Sequence, residues 1–491
     1  MKIYILAQLV SCIALTDAFM VILPSQLRNA RSVSGSSSAA GVEDLLERYR
    51  LQNKLGSSFD FPPSSQLCVN IQRDYSELAN EDVLPGPTVP IPEAWSEYDE
   101  ESLLAHVRHL LTSADGSMTQ TRTFLTSAMT EVCNPILTPD TNRTEFWKPY
   151  RDGDKDIVED FFKPWLRYSP EPDEKHKNLR GPSLYIVYWD WLANTSDGRK
   201  LTGSDIGFRK WFVQFLELRG KWINSVNSGT TMDAWMEYKG NPAHPFNVTE
   251  YAVPEGGFKT FNQFFRRSIR ASVRPMNETA SIVSPADGGA FYLQKESTDM
   301  TNHATHTLEE KSKDQFNLAD ALPCYGNSFI GGPLVDILLW FTDYHHFHAP
   351  VDGKLIHVAE YQGSYNYDFD NFDPNDPYAP KPPPDSDAAG WYKNLNKHKR
   401  TAWIIKTEDM GLVAMIAIGF WGVGSISSDL RPGQTLKKGD YMGHFGYGGS
   451  SILLAFEPMQ NIKFDGLSDD TGEPVLVKVR QGLEDLKSVE G

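Results

Sequence analysis

The C-terminal half of the chain contains a serine whose hydroxyl could reach its own backbone. Ser450 follows Gly448-Gly449 and opens the apolar run Ile452-Leu453-Leu454. Because glycine tolerates backbone geometries closed to other residues, Gly449 could let the Ser450 hydroxyl turn back on the preceding carbonyl. That geometry suits self-cleavage. Taken alone, Gly-Gly-Ser before a β-like segment is more typical of a tight turn that enters a strand.

Two upstream segments carry the partners that such a serine would need. Ser284-Pro285-Ala286-Asp287-Gly288 supplies an acid, and Asp343-Tyr344-His345-His346-Phe347-His348 supplies a histidine cluster. A serine hydroxyl is a poor nucleophile at neutral pH, and a histidine with an ordinary pKa of about 6.5 can accept its proton. A carboxylate bonded to the other imidazole nitrogen then fixes the tautomer. By itself Asp287 also fits a turn, since Pro-Ala-Asp-Gly is strong turn chemistry.

Two other classes of site use the same residue types. An ordinary serine hydrolase combines serine, histidine and an acid, but Ser450 lacks the Gly-x-Ser-x-Gly elbow. The histidine cluster and Asp343 could instead hold a metal ion. Alternating strand positions, however, would send adjacent histidines to opposite faces, and the sequence offers no obvious further ligand cluster. We therefore expect no metal site.

Several motifs, in order along the chain, resemble the phosphatidylserine decarboxylase family, whose members cut themselves at a Gly-Ser bond and convert the serine into a pyruvoyl group. The resemblance covers roughly residues 258–488. It begins with the aromatic and basic segment Phe261-Asn262-Gln263-Phe264-Phe265-Arg266-Arg267 and Arg274-Pro275. The Ser-Pro-Ala-Asp-Gly motif and a Tyr-His-x-x-His-x-Pro-x-x-Gly motif follow. Residues 417–426 and 438–445 resemble the final hairpins of the family.

The resemblance implies a role for each candidate residue. His348 is the base, Asp287 is its orienting acid, and Ser450 attacks the carbonyl of Gly449. Cleavage then leaves a pyruvoyl group derived from Ser450 at the head of the smaller chain, which stays associated with the larger one. This group serves as an electron sink for decarboxylation through a Schiff base, so no external cofactor is required. The other motif histidine, His345, could assist substrate binding or protonation.

The substrate is less well indicated than the chemistry. His346 occupies a position where many relatives carry arginine, and Gly448-Gly449-Ser450-Ser451 replaces the commoner Leu-Gly-Ser-Thr. This form looks like the branch that has an extra N-terminal helical domain and includes fungal decarboxylases of L-tryptophan. The intact Ser-Pro-Ala-Asp-Gly motif looks like the phospholipid enzymes. We expect phosphatidylserine as substrate, with a free aromatic amino acid as the alternative. An uncleaved lipid- or amine-binding protein is the alternative of another class.

Composition bounds the partners of the chain. Its 491 residues are enough for two folded units, and 40% hydrophobic and 12% aromatic residues indicate a globular protein. The formal net charge of -17 argues against nucleic-acid binding, because no basic stripe can neutralise phosphates. It also disfavours broad adhesion to anionic membranes. A local basic patch at Arg266, Arg267 and Arg270 could still make peripheral contact with a lipid headgroup.

The amino terminus is typical of a targeting segment. Lys2 precedes an apolar run over residues 3–15, which predicts a signal peptide at 1–18 and a secretory or extracellular destination. The run is too short to span a bilayer, for which about 20 apolar residues are needed. A serine-rich tract with Arg28 and Arg31 keeps an organelle such as the mitochondrion as the alternative. Four Asn-x-Ser/Thr tripeptides predict a glycoprotein, at Asn142, Asn194, Asn247 and Asn277. The 4 cysteines include one in the signal, so at most one disulfide can form in the mature chain.

The remaining pattern predicts an α+β fold in three parts. A partly disordered leader occupies 19–93, a helical N-terminal domain 94–245, and a β-rich self-processing catalytic domain 258–488. We predict helices at 102–111 and 204–226, the second capped by Ser204-Asp205, and a hairpin of strands at 401–406 and 412–418. An acidic, proline-rich insertion at 368–387 should form a surface loop. The second helix should bury one aromatic face that consists of Phe208, Trp211, Phe212, Phe215 and Trp222.

Overall fold

The computed structural model describes most of the chain from residue 92 to residue 484, together with residue 84. The signal peptide, nearly all of the leader and the insertion at 368–387 lie outside the described residues, so those predictions are not tested here. Within the range, the residues left out are 113–115, 135–140, 173–179, 194, 204, 241–244, 293–317, 319–321, 323, 362–397, 421–423, 459–461, 465 and 470–473.

The described residues form an α+β fold, as predicted, with helices first and strands after them. No helix in this described part is long and apolar enough to cross a membrane. The helices are α1 Glu97–Thr112, α2 Gly116–Val132, α3 Thr141–Asp152, α4 Lys163–Leu166, α5 Arg180–Ala193, α6 Ser196–Gly203, α7 Ile206–Asn224, α8 Met232–Glu237 and α9 Phe261–Phe265. A π-helical turn at Val158–Phe162 leads into α4. We call residues 92–240 the helical region.

Both predicted helices are confirmed. The first lies inside α1, and the second corresponds to α7. Asp205 caps α7 because its Oδ1 accepts a hydrogen bond of 3.0 Å from the backbone N–H of Phe208. Its other carboxylate oxygen accepts from the Thr121 hydroxyl on α2 at 2.5 Å. The cap therefore also ties two helices together.

The predicted aromatic face of α7 is buried except at its C-terminal end. Phe208, Trp211, Phe212 and Phe215 are all at most 5% exposed, whereas Trp222 is half-buried. The Trp222 ring instead packs edge-on against Trp95, 4.9 Å away. Since the buried aromatic side chains each remove a large apolar area from water, each stabilises the helical region by roughly 2–3 kcal/mol.

The C-terminal part contains a nine-stranded sheet and a three-stranded sheet. The strands are β1 Gly288–Tyr292, β2 Leu334–Leu339, β3 His346–His348, β4 Gly353–Tyr361, β5 Lys399–Lys406, β6 Leu412–Phe420, β7 Ile426–Ser427, β8 Thr435–Leu436, β9 Tyr441–Phe445, β10 Gly449–Phe456, β11 Ser468–Asp469 and β12 Val475–Val477. The large sheet runs β11-β1-β2-β10-β6-β5-β4-β8, with β12 paired to β1, and the small sheet runs β3-β9-β7. All pairs are antiparallel except β1 with β11.

The predicted hairpin is confirmed as β5 and β6. Lys406 pairs with Leu412 at its end, and the N–H of Thr407 donates to the carbonyl of Gly411 at 2.9 Å. Gly411 has a φ of +68°, which is accessible to glycine at little cost and explains the residue type at this turn.

The large sheet is covered on both faces. Alternation along β10 sends Leu453 and Ala455 into a core shared with the helical region, whereas Ile452 and Leu454 enter a second core with residues of the small sheet such as Phe347. The helices therefore do not form a separate core of their own. By the same alternation, Ser450 lies on the face of Ile452.

Candidate active site

Ser450 lies at the start of β10 between two neighbouring strands. Its Cα pairs with Leu339 of β2 and with Gly419 of β6, so the backbone is held from both sides. The side chain is fully buried, and its hydroxyl oxygen has no hydrogen-bond partner among the described residues. A buried hydroxyl normally finds a partner, because leaving it without one costs roughly 1–3 kcal/mol. The exception makes Ser450 a candidate for chemistry.

The next residue makes the opposite arrangement. Ser451 points to the other face, where its hydroxyl donates a short hydrogen bond to the buried carboxylate of Asp336 on β2. The sequence analysis did not single out Asp336. An acid within the apolar stretch Leu334–Leu339 is the signal that could have identified it, since a buried carboxylate needs a donor nearby.

His348 is held by hydrogen bonds at both ring nitrogens. Its Nδ1 lies 3.0 Å from the carbonyl oxygen of Gly439, which can only accept, so Nδ1 carries the proton. Nε2 therefore accepts from the hydroxyl of Tyr344 at 3.2 Å. Burial, aided by the charge of Arg480, lowers the pKa of His348 to about 3, so the ring is neutral at pH 7.

His345 is held by one nitrogen only. Its Nδ1–H donates to the backbone carbonyl of Asp343 at 3.0 Å, which leaves a lone pair on Nε2. That Nε2 is buried and has no partner among the described residues. The ring lies 3.8 Å from the ring of Phe265 on α9. Burial lowers the pKa of His345 well below its usual value, so Nε2 is a free acceptor in the neutral ring.

His346 shares the Tyr344 ring with His348 but has a different hydrogen-bond partner. Its Nε2–H donates to the carbonyl of Arg266 at 2.9 Å, and its ring stacks on Tyr344 at 4.8 Å. Burial lowers the pKa of His346 to about 3 and that of the adjacent His444 well below its usual value. The three histidines of the motif thus have three different sets of hydrogen-bond partners, which the residue types alone could not distinguish.

Asp287 lies in a buried cluster of charged groups. Arg274 donates to it twice, from Nε at 3.1 Å and from Nη2 at 2.6 Å, and the N–H of Val479 donates at 2.8 Å. Lys478 lies 3.4 Å away. Burial raises the pKa of Asp287, but Lys478, Arg274 and the Val479 N–H together outweigh it, so the pKa lies below its usual value.

This environment corrects one detail of the sequence analysis. The predicted hydrogen bond, in which the His348 imidazole would donate to the Asp287 carboxylate, is not made, because both ring nitrogens have other partners. The two residues are nevertheless brought together by the backbone, since the N–H of His348 donates to the carbonyl of Pro285 at 2.8 Å. The negative charge of Asp287 raises the pKa of His348 against the effect of burial. Asp287 thus influences His348 through space.

Asp343 is a second buried acid beside this cluster. Its carboxylate accepts from the backbone N–H of Trp340 at 2.8 Å. Burial raises the pKa of Asp343 to about 6, opposed by the charge of Lys478 and assisted by that of Asp287. Lys478 was missed by the sequence analysis, and a single lysine after β12 carries no local signal. Among the described residues, no group of three or more His, Cys, Asp or Glu side chains is arranged to hold a metal ion.

Comparison with known proteins is consistent with the geometry. The sequence profile of the family described as phosphatidylserine decarboxylase matches residues 261–482. A phosphatidylserine decarboxylase proenzyme of Clostridium novyi is 28% identical over 303 residues, which cover 60% of this chain and 90% of the relative. One from Chlamydia trachomatis is 31% identical over 221 residues, which cover 44% and 66%. Proenzyme 2 of Oryza sativa is 29% identical over 293 residues, which cover 59% and 42%.

The matched segment contains every predicted site residue. Asp287, His345, His348 and Ser450 all lie between residues 261 and 482, as do Arg274 and Lys478. The helical region precedes the match. The matched segment, residues 261–482, therefore belongs to the phosphatidylserine decarboxylase family of carboxy-lyases.

Proposed function

We propose that the protein is a self-cleaving, pyruvoyl-dependent decarboxylase that cuts itself between Gly449 and Ser450. The observation that carries this proposal is the buried Ser450 hydroxyl, which has no hydrogen-bond partner in the described structure and directly follows two glycines. The relatives are named proenzymes, which supports a maturation step. The Ser450 side chain fits the precursor of the pyruvoyl group because it is fully buried and its hydroxyl is unpaired in the described structure.

The cleavage can be written with all atoms accounted for. The Ser450 oxygen attacks the Gly449 carbonyl carbon. The amide bond from this carbon to the Ser450 nitrogen is replaced by an ester bond to the Ser450 oxygen, which frees the nitrogen as an amine. Loss of the α-proton breaks the bond between Cβ and the oxygen and releases the larger chain with a Gly449 carboxylate. Water then replaces the nitrogen of the remaining dehydroalanine, which leaves as ammonia. The pyruvoyl carbonyl so formed would make a Schiff base with the substrate amine and accept the electrons left behind as carbon dioxide departs.

The histidines would divide the proton transfers between them. His348 is proposed as the base that accepts the Ser450 proton, which requires Nε2 to exchange its contact of 3.2 Å with Tyr344 for one with serine. Asp287 would stabilise the imidazolium through its charge. His345, with its free Nε2, would bind the substrate or exchange a proton with it. The two self-cleaved chains stay together in this proposal, because β10 is paired on both sides within the large sheet.

Phosphatidylserine is the proposed substrate, and phosphatidylethanolamine and carbon dioxide are the proposed products. The names of the relatives support this assignment. A free aromatic amino acid such as L-tryptophan is the second candidate. It is favoured by the aromatic surroundings of His345, where Phe265 lies 3.8 Å away and in turn contacts Phe261 and Tyr447. Assays with both substrates on the same cleaved protein would separate the two.

We further propose a secretory or extracellular location, with a mitochondrial one as the alternative. Asn247 is exposed, as a glycan acceptor must be. Cys324 is disulfide-bonded, and this bond suits an oxidising compartment. Cys133 is free and buried. Of the three arginines of the predicted basic patch, we propose Arg270 for peripheral membrane contact, since Arg266 is mostly buried and Arg267 is fully buried.

Denaturing intact mass spectrometry of the purified protein beside a Ser450→Ala variant tests the central proposal. We expect two chains from the wild type, the smaller beginning with a pyruvoyl group at position 450, and a single chain from the variant. One uncut chain in both samples would reject self-cleavage and favour the uncleaved lipid- or amine-binding protein.

A further inference from the structure

Tyr447 connects the segment before Ser450 to the helical region. Its ring is buried, and its hydroxyl donates a short hydrogen bond to the carbonyl of Pro182 on α5. The guanidinium carbon of Arg219 on α7 lies 5.8 Å from the centre of the same ring. Two separate helices thus contact one side chain that precedes the proposed cleavage point by three residues.

The backbone between Tyr447 and Ser450 contains glycine alone. Gly448 has a φ of +144°, a conformation that residues with a side chain rarely adopt. Two glycines have no side chain by which the protein could hold them. Backbone contacts must therefore set the position of the Gly449 carbonyl. On one side Gly449 and Ser450 are paired with β6 within the large sheet, and on the other the N–H of Gly424 donates to the carbonyl of Tyr447 at 2.6 Å.

The Tyr447 ring also contacts the residues next to His345. It lies edge-on to Phe261 at 5.2 Å and to Phe265 at 5.6 Å, and Phe265 is 3.8 Å from His345. A shift of the Tyr447 ring would therefore displace both the glycine segment and one wall around His345.

Arg219 is a costly group to bury where it stands. It is 2% exposed and donates to a single carbonyl, that of Leu166, at 3.2 Å. Its Nε and Nη2 have no partner in the described structure, and its charge faces the rings of Tyr168 and Tyr447. Arg267, in contrast, donates to the carbonyls of Phe264, Thr342 and Asp343. The Tyr447 hydroxyl and the rings of Tyr168 and Tyr447 are thus the main compensation for the charge of Arg219.

We propose that Tyr447 and Arg219 are positioning residues through which the helical region holds the 447–450 segment for self-cleavage. The inference rests on the proposed function, because it concerns the step that would activate the enzyme. It gives the helical region a role in maturation: the hydroxyl of Tyr447 fixes one end of the two-glycine segment, so that the Gly449 carbonyl stays within reach of the Ser450 hydroxyl.

The test is the rate of self-cleavage of the full chain with Tyr447→Phe, which removes one hydroxyl and keeps the ring. We expect cleavage to slow about tenfold, the effect of one lost hydrogen bond expressed at the attack step. Tyr150→Phe is the matched control, because the Tyr150 hydroxyl also donates to a backbone carbonyl, that of Asp160 at 3.0 Å, within the helical region. Fragments are followed by denaturing mass spectrometry after synthesis in a cell-free system.

Two further measurements separate positioning from stability. Thermal unfolding of both tyrosine variants in a Ser450→Ala background measures stability in uncut chains, and we expect similar melting temperatures. Hydroxylamine, which cleaves esters faster than amides, reports whether the serine has attacked, and we expect it to release little fragment from Tyr447→Phe. Arg219→Met should slow cleavage more than Arg219→Lys.

Three results would overturn the proposal: wild-type cleavage rates in Tyr447→Phe, slowing that is matched by Tyr150→Phe, or rapid hydroxylamine cleavage of the Tyr447→Phe chain. Absence of cleavage in the wild type would instead reject the proposed function itself, so the two failures are distinguishable.

Discussion

The surroundings of Asp287 and those of Ser450 represent two opposite ways to bury polar groups. Asp287 is fully buried, and three partners donate to it or neutralise it. Ser450, equally buried, has no hydrogen-bond partner in the described structure, and neither has Nε2 of His345. Because unpaired polar groups cost free energy, they persist where function requires them. The comparison separates two of the proposed reacting groups, Ser450 and His345, which are unpaired in the described structure, from the paired charged cluster around Asp287.

The largest expected effect separates the two motif histidines, of which His348 is hydrogen-bonded at both ring nitrogens and His345 has an unpaired Nε2. We expect His348→Ala to stop self-cleavage, because the base for Ser450 is gone. His345→Ala should still cleave but should lose decarboxylation by about 100-fold or more, the usual scale of acid-base catalysis. The fraction of cleaved chain and the release of carbon dioxide from substrate are measured on both variants. An uncut His345→Ala chain would contradict this division of roles.

Removing a charge from the cluster around Asp287 should lower the stability of the fold. Asp287→Asn leaves the partly exposed Glu250, 2.9 Å away, as the one carboxylate paired with the buried Arg274 in the described structure, beside its hydrogen bond to the Val273 carbonyl. Breaking a buried ion pair costs about 3–5 kcal/mol of the free energy of unfolding. Lys478→Met is the control, because Lys478 is 41% exposed and its contact with Asp287 should contribute less than about 1 kcal/mol. Urea unfolding in a Ser450→Ala background compares them, and equal losses would argue against burial as the cause.

Acid should weaken the fold through the buried histidines. Four buried histidines have pKa values below the ordinary 6.5, namely His345, His346, His348 and His444. Between pH 6.5 and the lower pKa values, the unfolded chain therefore binds more protons than the folded state. Stability is therefore present above pH 6.5 and is lost as the pH falls toward 3. At pH 5 His346 and His348, whose pKa values lie at about 3, each contribute a loss of about 2 kcal/mol.

The titration of Asp343 has the opposite effect on stability in part of this pH range. Its pKa is raised to about 6, so the folded state binds the extra proton, and stability rises as the pH falls from 6 toward 4. The histidines outnumber it, and we expect a net loss. Unfolding in urea at pH 7.5 and pH 5 measures the difference, which His346→Phe should reduce and Asp343→Asn should increase. A stability that did not change with pH would show that the rings are protonated or solvated in the folded protein.

The smallest effect concerns the helical region away from the site. Asp205→Ala removes the cap of α7, which should cost about 1 kcal/mol. Self-cleavage should continue at the wild-type rate, in contrast to the proposed effect of Tyr447→Phe. Melting temperature and fragment formation are read on the same sample. Slower cleavage in Asp205→Ala would indicate that any loosening of the helical region affects the site.

The sequence by itself determined the fold class and the residues of the candidate site. Periodic aromatic residues predicted α7, and β-branched segments with a glycine turn predicted the β5–β6 hairpin, because local backbone preference and burial agree there. The resemblance of the motifs to the family singled out Asp287, His345, His348 and Ser450 as candidate site residues. The residue types were enough to indicate the family, because the same chemistry needs the same functional groups.

The tertiary structure alone decided which of these groups is paired. The partners of Asp287 and His348 come from distant parts of the chain, at Lys478 and Gly439, and the contacts of Tyr447 come from Pro182 and Arg219. Periodicity reports which face of an element is buried but not what lies against it. Hydrogen-bond partners and pKa shifts depend on that second fact, so the difference in pairing between His345 and His348 follows from the packing of the sheets and the helical region.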